Sequence, residues 1–378
     1  MNPKTFAPSL SLILGLVVAS SSSGADEILI GHYASLTGAQ STFGQSTDIG
    51  VKMAVEEINA EGGIKGKMVK LITRDDEGKA EKAGDTVTRL ITSDHVIAVI
   101  GEVASGLSIA GGDVCQSHKI PMISPSSTNP SVTKRGDMIF RVCFIDSFQA
   151  PICAKFAATH ESTQAKKVAI LYDQASPYSK GLAVEFRKAF KALGGTITTE
   201  QTYTEGDGDY SAQLTTIRGT NPQMIFVPGY YTDVSSIAVQ ARKLEIKVPL
   251  LGADGWDSAK LAELGGSAIE GCYYSNHYAA EDPNPKIQEF IKKYQSKHKD
   301  VPDALVALGY DSAQILFDSI KRAPSTSGKD IAAAIAATKN FEGVTGKITI
   351  DANRNASKPA VIVKMTGGKP VFVTRYEP

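Results

Sequence analysis

The chain has 378 residues, of which 42% are hydrophobic and 21% are charged, a composition typical of soluble globular proteins. Its 40 basic and 40 acidic side chains balance, which argues against the large basic surface that nucleic-acid binding requires. The length is sufficient for two domains of ordinary size.

The N-terminal segment, residues 1–25, is predicted to be a secretory signal peptide. Lys4 precedes the apolar stretch Ser9–Ala19, and Ser23 and Ala25 are small residues at the positions expected before a cleavage site. The apolar stretch is too short for a transmembrane helix, which needs about 20 residues. We therefore expect cleavage after Ala25 and export of the remaining chain.

From residue 28 onward, patterns typical of strands and helices alternate in two successive runs. The first run predicts strands over 28–33, 68–73, 97–100, 120–123 and 138–142 and helices over 48–61, 79–92 and 105–115. The second predicts strands over 167–172, 196–203, 224–227, 249–251 and 271–275 and helices over 147–159, 178–193, 211–218 and 233–244. Such alternation favours parallel sheets covered by helices on both faces, so we expect two doubly wound α/β lobes.

The remaining segment contains too few strands for a third domain. It predicts helices over 286–298, 303–322 and 330–338 and strands over 348–350, 360–365 and 371–375, the last two joined at Gly367-Gly368 as a hairpin. We expect these elements to complete the two lobes. Lobe 1 would comprise 26–147 plus 278–352 and lobe 2 would comprise 148–277 plus 353–378, with several short crossings between them.

Motifs for catalysis, cofactors and metals are absent from the sequence. There is no glycine-rich nucleotide fingerprint, metalloprotease motif or hydrolase elbow, and the six His residues show no metal-ligand spacing. We therefore predict no catalytic residue, no cofactor and no metal. The acidic cluster Asp75-Asp76-Glu77 follows a predicted strand and precedes a helix, which favours a solvated turn at the helix N-terminus.

The four cysteines, Cys115, Cys143, Cys153 and Cys272, form no CxxC pair. Export would permit a disulfide, for which Cys143 and Cys153 are the nearest pair in sequence. Burial of all four as small apolar side chains is the alternative.

Candidate binding residues follow four of the predicted strands. Ser105 opens a helix after one strand, Ser126 and Thr128 follow the next, and Tyr230 and Asp254 follow two strands of the second run. Ligands of open α/β sheets bind at the carboxyl ends of the strands, although each of these residues alone could be a cap or turn residue. Hydroxyls and amides bind an anion and a carboxylate binds a cation. An α-amino acid carries both charges and would satisfy both groups.

Seven segments together resemble the leucine/isoleucine/valine-binding protein family, the periplasmic receptors of bacterial branched-chain amino-acid ABC importers. The resemblance extends from Ile28 to the C-terminal hairpin, and its segments include GEVASGLS, PMISPSSTNP, PGYYTDV and GADGWDS. The full set spans residues 31–44, 54–67, 101–108, 121–130, 140–149, 228–234 and 252–258. It implies a type I periplasmic binding fold, in which two lobes joined by three crossovers close over a ligand in the cleft.

The resemblance also implies roles for the candidate residues. Ser105 and Thr128 would hold the ligand carboxylate by hydroxyl and amide groups, and Ser126 would contribute mainly its backbone. Asp254 would pair with the ligand ammonium, assisted by Tyr230. Many family members have Glu where this chain has Asp254, and the shorter side chain would shift the ammonium.

Phe43 and Tyr178 would form the wall of the side-chain pocket by the same resemblance, with Trp256 a nearby candidate. The implied protein is a periplasmic, monomeric receptor that binds an amino acid, branched-chain or otherwise apolar, and delivers it to a membrane permease. Two alternatives stay open. One is a sensory or regulatory module of the same fold, and the other is a receptor for a small carboxylate or amide that is not an amino acid.

Overall fold

The structure is a computed structural model that describes residues 1, 3 and 27–378, so the predicted signal peptide lies outside the described residues. Within the described residues, no helix combines the length and the apolar character needed to cross a membrane. The chain forms two α/β lobes.

Lobe 1 is built on a five-stranded parallel sheet in the order β2-β1-β3-β4-β5. Its strands are β1 (Ile28–Ala34), β2 (Val69–Asp75), β3 (Ala98–Ile100), β4 (Met122–Ser124) and β5 (Ile139–Arg141). Its first helices are α1 (Ser41–Ala60), α2 (Ala80–Thr92) and α3 (Ser105–His118). The apolar runs at β3, β4 and β5 are buried at every position, as expected for a sheet covered on both faces.

Lobe 2 repeats the pattern with the parallel order β10-β9-β8-β6-β7. The strands are β6 (Lys167–Asp173), β7 (Thr196–Tyr203), β8 (Met224–Phe226), β9 (Leu250–Gly252) and β10 (Tyr273–Asn276). The helices are α4 (Asp146–Thr159), α5 (Pro177–Ala192), α6 (Ser211–Gly219), α7 (Tyr231–Lys243) and α8 (Ala259–Gly265).

The C-terminal region contributes to both lobes. Helices α9 (Pro285–Gln295), α10 (Ala304–Arg322) and α11 (Gly328–Ala336) belong to lobe 1, together with a small antiparallel sheet of β11 (Phe341–Gly343), β12 (Gly346–Ile350) and β13 (Ala356–Ser357). The hairpin of β14 (Ala360–Thr366) and β15 (Lys369–Tyr376) then joins lobe 2, where β14 pairs antiparallel with β10. The chain thus crosses three times, after β5, after β10 and after β13, and the predicted two-lobed fold is confirmed.

The third crossing falls later than the sequence division at residue 353, because Ala356–Ser357 still pairs with β12 of lobe 1. Lys358 at this crossing is only 1% exposed. Its ammonium donates to the Thr345 hydroxyl and lies beside Asp311 of α10, while burial lowers the pKa of Lys358 to about 8. A buried, hydrogen-bonded lysine therefore fixes the chain where it passes into lobe 2.

Helix α1 begins at Ser41, earlier than the predicted start at Asp48. Residues 41–47 (STFGQST) are rich in Ser, Thr and Gly, which have weak helix propensity, so the sequence pattern misses these turns. The glycines permit a close approach to α10. A Cβ at Gly50 would lie 2.0 Å from the Val306 carbonyl oxygen, and one at Gly309 would lie 2.4 Å from that of Thr47. Packing against α10 therefore stabilises a helix that local preference does not favour.

The structure corrects the prediction for the acidic cluster and decides between the two alternatives for the cysteines. The acidic cluster is not fully solvated, because Asp76 is 0% exposed and accepts hydrogen bonds from Ser35 and Gly78. All four cysteines are buried and free, so Cys143 and Cys153 are not joined. Burial raises the pKa of both these thiols to about 12, which keeps them protonated and unreactive.

Candidate ligand-binding site

A cavity lies between the two lobes, where the carboxyl ends of their strands face each other. Its lining residues come from both lobes: Phe43, Val103, Ser126 and Leu305 from lobe 1, and Tyr178, Tyr230, Asp254 and Gly255 from lobe 2. Five of the eight sequence-predicted site residues are among them. A ligand in this cavity would therefore contact both lobes at once.

Asp254 follows β9 in a short 3-10 turn and is 6% exposed. Its Oδ1 accepts hydrogen bonds from Gln149 Nε2 and from the Tyr178 hydroxyl, both at 2.8 Å, and its Oδ2 lies 3.2 Å from His277 Nε2. Burial lowers the pKa of His277 to about 4, so the ring is neutral and donates through Nε2. Three neutral donors thus orient the Asp254 carboxylate without neutralising its charge.

Gln149 and His277 contact Asp254, and the sequence analysis did not identify either of them. Gln149 is fully buried on α4 and donates to Ser275 Oγ as well as to Asp254. His277 follows β10 and stacks on Phe144, with ring centroids 3.9 Å apart. The sequence offers one indication for Gln149, which is a polar residue in the mostly apolar helical segment FQAPICAKFAA. A buried polar side chain needs a hydrogen-bond partner, which apolar packing alone does not supply.

The wall of the cavity is aromatic and aliphatic. Tyr178 and Tyr230 stack with centroids 4.9 Å apart and an interplanar angle of 4°, and Phe43 meets Tyr230 edge-on at 5.7 Å. Burial raises the pKa of both tyrosines well above the usual value, so both hydroxyls are protonated. Val103 and Leu305 complete this wall, which offers an uncharged surface to a ligand side chain.

The hydroxyl side of the site lies in lobe 1. Ser105 is the first residue of α3, where the helix dipole favours an anion. Its backbone amide contacts the Tyr230 hydroxyl across the cleft, and its Oγ accepts from the Asn129 amide at 3.3 Å. Ser126 lines the cavity. Ser105 and Thr128 are also buried, and the Thr128 hydroxyl faces the buried Asp146 carboxyl, whose pKa burial raises to about 8. The hydroxyl side of the site therefore contains no cation and would hold a ligand carboxylate by neutral donors.

Arg141 at the end of β5 supports this hydroxyl loop. It is fully buried, and its guanidinium donates to the Ser127 carbonyl and, at 2.7 Å, to the Asn129 carbonyl. Both carbonyls belong to the segment that carries Ser126 and Thr128. The sequence analysis did not identify Arg141, because its partners lie on a loop that approaches it only in the folded chain.

Trp256, a predicted wall residue, lies outside the cavity. Its side chain is fully buried, its indole Nε1 donates to the Val227 carbonyl at 2.9 Å, and its ring covers Gly252 so closely that a Cβ there would lie 2.1 Å away. It does not line the cavity. The 3-10 turn after Asp254 directs the indole into the core of lobe 2, where it supports the end of β9.

The lobes contact each other around the cavity, so the structure describes the cleft in a closed state. Interlobe hydrogen bonds join Tyr231 to the Ala39 carbonyl, Gln40 to Glu205, Thr42 to Ser258 and Asn129 to the Pro177 carbonyl, at 2.7 to 2.9 Å. Among the described residues, no group of three or more His, Cys, Asp or Glu side chains is arranged to hold a metal ion.

Comparisons with known proteins agree with this architecture. The periplasmic binding protein family matches residues 27–369. A Leu/Ile/Val-binding protein homologue from Brucella melitensis is 30% identical over 365 residues, covering 96% of this chain and 97% of the relative.

Two solved structures are similar over nearly the whole chain. A leucine-binding protein from Thermotoga maritima has 37% identity and a TM-score of 0.89, covering 93% of this chain and 99% of that protein. A branched-chain amino acid transporter substrate-binding protein from Streptococcus pneumoniae, in complex with isoleucine, has 33% identity and a TM-score of 0.86, covering 92% and 99%. The chain described here belongs to the periplasmic binding protein family.

Proposed function

We propose that this protein is the substrate-binding receptor of an ABC importer and that it binds a branched-chain or similar aliphatic α-amino acid in the interlobe cleft. The observation that carries the proposal is that one carboxylate, Asp254 from lobe 2, and Ser126, from the hydroxyl loop that also holds Thr128 in lobe 1, line the same interlobe cavity. The names of the relatives, which refer to leucine, isoleucine and valine, support the same ligand class.

The charges of the cavity favour a zwitterion with a neutral side chain. Asp254 is the one charged residue in the lining, and the ligand ammonium would balance it. Each charge-assisted hydrogen bond to the ligand contributes about 1.5–3 kcal/mol, which offsets the hydration lost on entry. A second charge on the ligand would find no further charged residue in the lining, so charged side chains are disfavoured.

The aromatic lining of the cavity supports an aliphatic ligand side chain. Phe43, Tyr178 and Tyr230 form a continuous aromatic wall, against which a branched aliphatic group would bury its apolar surface.

The proposal also includes the role of the protein in transport. The family to which the chain belongs is one of periplasmic binding proteins, which supports a receptor without enzymatic activity. Export through residues 1–25 would place the receptor in the periplasm, where it would act as a monomer and deliver its ligand to the permease of the importer.

Isothermal titration calorimetry on purified, ligand-free protein tests the proposal. We expect binding of leucine, isoleucine or valine, and much weaker binding of lysine and glutamate. The amine of leucine without its carboxylate, and the acid without its ammonium, should both bind poorly because each leaves one side of the site unpaired. Equal binding of any of these analogues and the parent amino acid would contradict the proposed site.

A further inference from the structure

Two buried carboxylates lie directly behind the Ser105 loop in lobe 1. Asp76 follows β2 and Glu102 follows β3, and they are 0% and 1% exposed. Neither lines the ligand cavity. No lysine or arginine forms an ion pair with either of them in the part of the chain that the structure describes. Two adjacent buried acids without a cation demand another source of stabilisation.

A single hydroxyl lies between these carboxylates. Ser35 Oγ is 2.9 Å from Asp76 Oδ1 and 3.1 Å from Glu102 Oε1. A serine hydroxyl has one proton and can donate to only one of these oxygens, whereas an ionised carboxylate can only accept. Both contacts become hydrogen bonds if one of the two acids keeps its proton and donates to Ser35, while Ser35 donates to the other. The pair therefore retains one proton in this arrangement.

The surroundings favour this shared proton. Burial raises the pKa of both acids, the charge of Asp76 raises the pKa of Glu102 further, to about 8, and the charge of Asp75 raises that of Asp76. The other titratable groups that face the pair are Tyr33 from β1, Asp75 beside Asp76, and Tyr230, which directly precedes α7, across the cleft. None of these is a cation, so none would stabilise a second negative charge.

Glu102 also holds the loop that leads to Ser105. Its Oε2 accepts from the Ala104 amide at 2.5 Å and its Oε1 accepts from the Ser35 amide at 3.1 Å. Its backbone carbonyl accepts from the hydroxyls of Ser124 and Ser127, at 2.7 and 3.0 Å. The residue thus connects the loops after β1, β3 and β4, and the last two carry the hydroxyls of the site.

We propose that Glu102 and Asp76 are positioning residues that share one proton and thereby hold the Ser105 loop in the geometry that binds the ligand carboxylate. This inference rests on the proposed function, in which Ser105 contacts that carboxylate. When the pair loses its proton, two adjacent negative charges repel each other and also repel the incoming carboxylate. Ligand affinity should therefore fall as the pH rises through the range in which the pair ionises.

The direction of the pH effect follows from the linkage between proton binding and folding. The pair binds a proton more tightly when folded than when unfolded, so the folded state loses stability as the pH rises from the usual carboxyl pKa toward about 8. A bound carboxylate disfavours ionisation of the pair further. Binding is thus coupled to retention of the proton, and affinity is lost on the alkaline side.

Asp76→Asn is the decisive variant. Asp76 Oδ2 has no hydrogen-bond partner, so an amide nitrogen at that position leaves the contacts of Oδ1 in place and removes the second ionisation. Asp85→Asn, which neutralises an exposed carboxylate on α2, is the matched control. Glu102→Ala removes the anchor of the loop, and we expect it to bind leucine at least tenfold more weakly at every pH.

The measurements are the melting temperature of the ligand-free protein between about pH 5 and pH 9, which spans the rise from the usual carboxyl pKa to that of Glu102, and the affinity for leucine between about pH 7 and pH 9. We expect both to decline in the wild type and in Asp85→Asn, with a several-fold loss of affinity, and to stay nearly constant in Asp76→Asn. Identical pH profiles of melting temperature for the wild type and Asp76→Asn would overturn the shared proton. Different melting profiles with identical affinity profiles would overturn the positioning role, whereas failure of the wild type to bind any amino acid at pH 7 would overturn the proposed function itself.

Discussion

Replacing Asp254 with Asn should remove most of the ligand affinity while preserving the fold. The substitution keeps the shape of the side chain, and its Oδ1 can still accept from Gln149 and Tyr178. The new amide would face His277 Nε2, and the ring can move its proton to Nδ1, which has no partner in the structure. The buried network is therefore retained, and the change isolates the charge.

The size of the expected loss in affinity follows from the burial of Asp254. Asp254 is 6% exposed, so the ligand ammonium would lose its counter-charge where water cannot replace it. Loss of one partner of a buried, hydrogen-bonded charge pair costs about 2–5 kcal/mol. Because each 1.4 kcal/mol is tenfold in Kd, we expect affinity to fall by roughly 30-fold to 4,000-fold.

Calorimetry with leucine and thermal unfolding should be run side by side on three proteins: the wild type, Asp254→Asn and Asp209→Asn. Asp209 is an exposed carboxylate of the same lobe that accepts a hydrogen bond from the Ser211 amide, which Asn can also accept. A melting temperature near the wild-type value together with strongly reduced affinity is expected only for Asp254→Asn. Wild-type affinity in that variant would refute the assignment of Asp254 to the ammonium.

Three further outcomes are expected. Tyr178→Phe removes the hydroxyl that donates to Asp254 and accepts from the Gly255 amide. Calorimetry should show that leucine binding weakens by about 1–3 kcal/mol, and an unchanged Kd would exclude a role for this hydroxyl in binding. Gly50→Ala should destabilise the protein by more than about 1 kcal/mol in chemical denaturation, because its Cβ would collide with the Val306 carbonyl and separate α1 from α10; wild-type stability would show that the helices can adjust. Small-angle scattering should show a smaller radius of gyration with saturating leucine than without it, since the ligand contacts both lobes, and an unchanged radius in a sample with confirmed binding would argue against closure.

Some residues around the cavity could be predicted from the neighbouring sequence, whereas others could not because their partners are distant along the chain. Asp254 and Tyr230 could be predicted because each directly follows a short apolar strand, and parallel strands bring such positions to one edge of a sheet. Gln149 and His277 could not, since their link to Asp254 depends on the packing of α4 and β10 in the folded lobe. Family resemblance supplied the segment that contains Gln149 but no role for it.

Asp76 and Trp256 illustrate the limits of local preference. Runs of carboxylates are usually solvated, and Asp76 is buried only because Ser35 and Glu102, from other strand ends, enclose it. Trp256 is two residues from Asp254, yet the intervening turn directs its ring to the opposite side, under Gly252. Proximity in sequence therefore predicted which segments reach the cavity but could not fix the direction of each side chain.

The interleaving of the chain between the lobes has a consequence for how the protein is assembled and taken apart. The packing partner of α1 in lobe 1 is α10, and the sheet of lobe 2 is completed by the hairpin β14–β15 near the C-terminus. Neither lobe can reach its full core until the last segments of the chain are available, so the two lobes should not fold one after the other as independent units. Proteolysis at any one crossing would leave the halves joined by the other two. The unit of folding and of turnover is thus the whole receptor, although the unit of motion is the single lobe.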